Sequence, residues 1–358
     1  LRSALYQATA SAGSDGLTYE ELAQRVFQAL NLDKELYAAD PDVEFQAKYD
    51  TEKAFRDVLG YRLYHDLRRG WRVTSPNLEQ CGLLEIEYPW LQDVCEADHV
   101  WQDMHPALVL ANAELRYQIS KTLLDYMRRE LVIKVAYLNR DDQEKIKQRS
   151  YQYLKLPWAM EENEELAHAA ILYPRPRSDQ DYFGNVFLSP RGGFGQYLRN
   201  TVSFENLQEK LSLDETQQVI EEILKALQKG GLVTVVDQPK NGGVPGYQLK
   251  ASGMVWKMGD GERAFHDPIR VPKMPEGGGQ TNTFFVDFYR FMAGNFKDLQ
   301  AREHTAQVPY EKREEREDQF RSGELRVLFC SPTMELGIDI SQLNVVNMRN
   351  VPPNPANY

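Results

Sequence analysis

The sequence predicts a mixed fold: a mainly α region, then a helix-and-hairpin unit, then the first part of an α/β domain with a parallel sheet. Three observations carry this. Apolar residues recur at three- and four-residue steps through much of residues 1–170. Residues 203–250 give two helices and two short strands joined by a glycine-containing turn, "PKNGGVP". Near the end, the charged run "EKREEREDQFRSG" precedes the apolar run "LRVLFCS", as in a crossover helix leading into a buried-type strand.

Taken in order, "TYEELAQRVFQAL" offers Thr18 as an N-cap with Glu21 three residues on, followed by Leu22, Val26, Phe27 and Leu30 at helical spacing. "KAFRDVLGYRLYHDLRRG" places Phe55, Leu59 and Leu63 on one helical face and ends at Gly70. "GWRVTSPNLEQCGLLEIEY" breaks the helical pattern and turns strand-like. The run from Asn112 to Leu138 reads as one long helix, and residues 141–170 as a charged helical stretch interrupted at Pro157. "YPRPRSDQDYFGNVFLSPRGGFG", rich in proline and glycine, reads as a linker. Beyond it, "SFENLQEKL", "DETQQVIEEILKALQKGG", "LVTVVDQ" and "GYQLKA" follow the order of a winged helix-turn-helix. "FFVDFYRFMAGNFKDL" is expected to be helical, and "NVVNMRNV" a further strand. The predicted organisation is an accessory or insertion region over 1–172, a linker plus winged-helix-like domain over 173–275 with its core at 192–252, and an α/β domain over 276–358.

Composition narrows the function. A chain of 358 residues, 42% hydrophobic and 27% charged, is that of a folded globular protein. A net charge of −11 argues against coating nucleic acid by bulk attraction, so any nucleic-acid contact must be local. Cys81, Cys95 and Cys330 form no CxxC pair, and the histidines lack ligand spacing, so no metal site is predicted. No apolar run is long enough to span a membrane and residues 1–30 lack a secretory pattern, from which a cytoplasmic location is expected. The chain starts "LRSALYQAT" and stops at "NPANY", and reads as an internal fragment.

In "VLFCSPTMELGIDI" an apolar strand enters a Ser-Pro-Thr turn, which sets Ser331, Thr333 and Glu335 beyond a strand's carboxyl end, where ligands bind in open α/β sheets. Gly337 permits close backbone approach and Asp339 can accept hydrogen bonds from a ribose or from loop amides. The same residues are also ordinary turn material. Arg68, Arg69, Trp71 and Arg72 form the best basic-plus-aromatic stretch, suited to phosphate and base contact, or equally to a helix C-terminus beside a buried Trp. In the winged-helix region a Lys240-Asn241 wing is a candidate DNA contact, but Asp214, Glu215, Glu221 and Glu222 would repel phosphate, which favours a structural or protein-contact role. "SPRGGFGQ" offers an anion nest with Arg191 or, the favoured reading, a hinge.

Residues 303–358, from "EHTAQ" through "PTMELGIDI" to "NVPPNPANY", resemble the second RecA-like domain of superfamily 2 helicases of the DEAD/DEAH-box-like kind. The wording is most similar to the DrmA-type helicase subunit of the DISARM anti-phage system. The resemblance implies a bacterial ATP-driven motor that uses ATP and Mg2+ and acts on DNA, single-stranded or with a single-stranded end. It also implies a partner subunit carrying a DUF1998-type domain. By the same resemblance, Thr333, Glu335, Gly337 and Asp339 belong to motif V, between nucleic acid and nucleotide, with Gly337 and Asp339 coupling the two lobes. His304, Thr305 and Gln307, with Ser331, would lie near the DNA backbone.

The chain departs from the family pattern in having no GxxxxGK[ST] phosphate loop and no DExH or DEAD pair, and it stops before motif VI. The fold class is accordingly a mainly α accessory region with a winged helix-turn-helix, followed by a partial RecA-like α/β parallel-sheet domain. The intact parent is expected to be an ATP-dependent DNA helicase or translocase, and this piece alone inactive. The alternative is a non-catalytic DNA- or protein-binding scaffold that uses the winged helix.

Overall fold

The computed structural model describes residues 1–68, 75–200, 204, 210–239, 243–274, 278–296, 299–330, 345 and 347. Contacts divide the chain into two compact units, Leu1–Gly294 and Asn295–Tyr358. Among the described residues no helix is long and apolar enough to cross a membrane.

The first unit opens with helices α1 (Arg2–Ala12), α2 (Leu22–Leu30) and α3 (Phe45–Asp66). Only half of the expected capping box forms at Thr18. Its backbone N–H donates to Glu21 Oε1 at 3.2 Å, but its hydroxyl donates to the same oxygen at 3.3 Å instead of accepting the Glu21 N–H, and helix α2 starts at Leu22. Helix α3 buries Phe55, Leu59 and Leu63 as predicted, and also Val58, Tyr61 and Tyr64, because it contacts α2 on one side and a later helix on another. Phe55 sits among the rings of Phe27, Tyr37 and Trp158, with centroids 5.7, 4.6 and 4.9 Å away, an aromatic core that sequence spacing does not reveal.

Strand β1 (Leu84–Glu87) follows, then the short helices α4 (Leu91–Glu96), α5 (Asp98–Trp101) and α6 (Pro106–Val109). One buried side chain ties them together. Arg116 donates to the carbonyls of Cys95, Leu108 and Val109 and to Asp98, and lies over the Trp101 ring. Arg116 belongs to α7 (Ala113–Arg129), which Asn112 caps by accepting the Leu115 N–H at 2.8 Å. The helix was expected to reach Leu138 but ends at Arg129. Leu131 takes φ 57°, and the following β-branched residues supply strand β2 (Ile133–Lys134). Helix α8 (Arg140–Tyr153), capped by Asn139, ends before Pro157.

The segment read as a linker is built into a sheet. Strands β3 (Leu172–Tyr173) and β4 (Val186–Phe187) pair in parallel, Leu172 with Val186 and Tyr173 with Phe187. The loop between them is closed by the Arg175–Asp181 pair at 2.5 Å, and the Arg175 guanidinium lies over the rings of Tyr173 and Phe187. The expected boundary at 172/173 therefore falls inside a strand. The "SPRGGFGQ" stretch, favoured as a hinge, enters helix α9 (Gly193–Leu198).

Helix α10 (Leu213–Lys229) and the antiparallel strands β5 (Val233–Asp237) and β6 (Gly246–Lys250) come in the order expected of a winged helix. However, β6 also pairs with β2 and with β3, so the hairpin is part of a five-stranded sheet and not a projecting wing. Most of the expected preceding helix, together with Lys240 and Asn241, lies outside the described residues. Strand β7 (Val255–Met258) pairs antiparallel with β1. Helix α11 (Thr283–Asp287), assigned from sequence to the last domain, continues as a π turn over Phe288–Met292 that packs on α1. Val286 and Tyr289 are buried there, and the Tyr289 phenol accepts from Arg2 Nη1 at 2.8 Å and donates to the Pro76 carbonyl at 2.9 Å.

The second unit holds strand β8 (Ala301–His304), helix α12 (Tyr310–Arg321) and strand β9 (Val327–Cys330). The strands are parallel, as a strand, crossover helix and strand require. The "NVVNMRNV" strand lies almost wholly outside the described residues.

Candidate nucleic-acid interface

Two parallel strands joined by one helix bring both strand ends to the same edge. Ala301 pairs with Val327 and His304 with Cys330, so Thr305 and Ser331 each follow directly from that edge in the chain. This is where open α/β sheets bind ligands, beyond the carboxyl ends of the strands. His304 and Cys330, the strand ends that lead into the two stretches singled out from sequence, thus lie side by side although 26 positions separate them.

His304 does not face outward. It is 3% exposed, and its Nε2 lies 2.7 Å from Glu317 Oε1 on α12. Arg316 donates to the Glu303 carbonyl at 2.6 Å, so two successive residues of the helix fasten the end of β8. Of the predicted trio, Thr305 is half-buried and Gln307 exposed; the Gln307 N–H points to Thr305 Oγ1 at 3.4 Å, which shapes the start of the turn. The arrangement makes His304 an anchor for the turn.

Glu317 was not foreseen. Of the half-buried positions of α12, Arg313, Arg316, Glu317 and Phe320 are spaced i, i+3, i+4 and i+7, the face of a helix laid on a sheet, with Gln319 beside them. Three of these four are charged, so hydropathy hides a face that the spacing contains. The strand β9 was expected to be buried, yet Phe329 is 63% exposed and Cys330 is exposed as well. A two-stranded sheet with one helix covers one face only.

Among the other predicted residues, Arg68 is exposed just past the end of α3, in the first unit. Arg69, Trp71 and Arg72 lie outside the described residues, as do Ser331, Thr333, Glu335, Gly337 and Asp339. Three of the four acids expected to repel phosphate from α10 have local partners. Glu215 completes a capping box with Ser212, whose N–H and hydroxyl hold its carboxyl below the usual carboxylate range, and His105 adds to this. Glu222 accepts the His105 N–H at 2.5 Å, and Glu221 accepts from Gln217 at 2.8 Å.

Parallel strands joined by a charged crossover helix are the makings of an α/β domain of the kind that binds ligands beyond its strand ends. Residues 278–358 match the helicase conserved C-terminal domain, and a C-terminal domain of the superfamily 2 helicase kind is present in the chain. No curated protein and no solved structure matches it. A helicase domain implies contact with nucleic acid in general. The matched span begins before the second unit and includes α11 and its π turn.

Proposed function

We propose that this chain is an internal part of an ATP-dependent DNA helicase or translocase, the DrmA-type subunit of a DISARM anti-phage system, acting in the bacterial cytoplasm with a DUF1998-type partner. The observation that carries the reading is the helicase C-terminal match over 278–358. Its described part folds as a parallel β–α–β unit, in keeping with that match. On this reading the turn Thr305–Gln307 meets the DNA backbone, and Thr333, Glu335, Gly337 and Asp339 relay the state of the nucleotide to it. Arg68, Arg69, Trp71 and Arg72 are a second proposed DNA contact.

The 358 residues have no GxxxxGK[ST] loop and no DExH or DEAD pair, and the described residues hold no group of three His, Cys, Asp or Glu placed to bind a metal ion. They do not fit ATP phosphates with magnesium, so no step of hydrolysis is assigned to them. Hydrolysis belongs to motifs carried elsewhere in the parent. The proposed task of this part is to sense and transmit.

The test is ATP turnover of the intact parent with and without single-stranded DNA, beside Asp339→Ala. DNA-stimulated turnover that is lost in the variant, with the melting temperature unchanged, is the expected result. Absence of turnover under all conditions would instead support a scaffold, with the helix-and-hairpin region recruiting a partner.

A further inference from the structure

The turn that follows β8 is fastened through one ring. His304 is buried, and its Nε2 N–H donates to Glu317 Oε1 at 2.7 Å, since a carboxylate can only accept. Its Nδ1 is buried too and has no hydrogen-bond partner. Among the described residues, Glu317 is thus the polar hold on the imidazole. The turn starts at the next position. The Val308 N–H donates to the Thr305 carbonyl at 3.1 Å and Val308 is buried, so Thr305–Gln307 is bracketed by two inward side chains, His304 and Val308.

Packing alone does not account for the carboxylate. Position 317 lies on the half-buried face of α12, where an apolar side chain would suit the sheet. Its second oxygen lies 3.3 Å from Arg321, but Arg321 also holds Asp318 at 3.1 Å, so that cation does not require Glu317. The imidazole does require it. Without Glu317, both ring nitrogens would be buried and unpaired, a state unfavourable enough to drive the ring out to water. Thr305 is covalently next, and the turn would move with it.

We propose that Glu317 positions the Thr305–Gln307 turn for the DNA backbone, acting through His304, and that His304 is an anchor with no DNA contact of its own. Thr305 and Gln307 bring a hydroxyl and an amide, neutral donors of the kind that fix register on phosphates. The inference rests on the reading that this turn meets DNA, and deepens it by dividing "EHTAQ" into an inward anchor and the residues that touch the strand.

The test is fluorescence anisotropy of a labelled oligothymidylate with the intact parent and three variants, Glu317→Leu, Glu317→Gln and His304→Leu/Glu317→Leu, each with its melting temperature. Glu317→Leu should weaken binding roughly tenfold, the size of one hydrogen bond lost from the turn to a charged group. Glu317→Gln should bind like the wild type, because its amide oxygen still accepts from Nε2. The double variant should also recover, because two apolar side chains leave no buried nitrogen to pair. Wild-type affinity in Glu317→Leu overturns the proposal, as does Glu317→Gln binding as weakly as Glu317→Leu. A folded double variant that binds more weakly than the wild type also overturns it, by placing His304 itself on the DNA, and this arm decides if Glu317→Leu fails to fold. Absence of binding by the wild-type parent overturns it too. The motor reading is decided separately by DNA-stimulated ATP turnover. Turnover with equal affinity in all variants keeps the motor and removes the role of Glu317; the expected affinities without turnover keep the positioned turn and remove the motor.

Discussion

Arg128 is a buried cation, and its replacement tests the packing of the first unit directly. The residue is 0% exposed, and it donates to Glu79 Oε2 at 2.6 Å, Asp125 Oδ1 at 3.0 Å and the Tyr88 hydroxyl at 3.3 Å. Tyr88 donates to the same Asp125 oxygen at 2.9 Å, and Lys121 to the other at 2.7 Å. Arg128→Met keeps the bulk of the stem and removes the charge. Asp125 retains Lys121, but Glu79, only 4% exposed, is left with no cation. Breaking a buried pair from one side costs about 3–5 kcal/mol. With a single carboxylate orphaned, the lower end applies, about 3 kcal/mol. At roughly 2 °C per kcal/mol for a unit of this size, the midpoint should fall by about 6 °C.

The assay is thermal and urea denaturation followed by circular dichroism, with Glu79→Met/Arg128→Met alongside. The double variant should recover most of the loss, because an apolar replacement of a whole buried pair is often neutral. A loss below about 1 kcal/mol in the single variant, or no recovery in the double, would refute the account, since buried-pair costs are well above that. Acid sensitivity gives a second readout. Burial alone would raise the Asp125 pKa, but Lys121 and Arg128 outweigh it and hold the group below its ordinary value of 3.8. Its contribution is therefore fully present above that value and is lost as pH falls through the depressed folded value. Removing Arg128 weakens the depression, so acid unfolding should move to higher pH.

Tyr289→Phe removes the acceptor of Arg2 Nη1 and the donor to Pro76, and should lower stability by about 1–2 kcal/mol through two part-buried bonds; an unchanged urea midpoint would show that α11 does not depend on this seat. In alkylation at pH 8 the native chain should label at Cys330 alone, and the denatured chain at all three cysteines. Cys81 and Cys95 are 0% exposed, and burial pushes their thiols up to about 11 and about 12. Rapid native labelling of either, read by peptide mass spectrometry, would contradict their burial.

Features carried by neighbours along the chain were legible in the sequence. Asn112 does cap α7, because capping needs only the next three residues. The parallel pairing of β8 and β9 follows from a strand, a helix and a strand of the right lengths, which admit few alternatives. The capping box of α10 is legible too, in "SLDE". The end of α7 was not legible, since helical periodicity continues past Arg129 and only pairing with β6 makes Ile133 and Lys134 a strand. Two-residue strands such as β3 and β4 leave no period to detect, and the proline- and glycine-rich stretch around them read as a linker for that reason.

The same division runs through the candidate sites. The sequence by itself determined that a helicase-like motif stands near the end of the chain, because a motif is a run of adjacent residues and its spacing is covalent. Only the tertiary structure decided that His304 turns inward to Glu317, that the π turn after α11 seats on α1, and that Arg140 meets Tyr182 across 42 positions. Each of these depends on which surfaces close over one another. Burial and ion pairing are properties of neighbours in space, and a linear pattern of polar and apolar residues does not specify which distant neighbour will arrive.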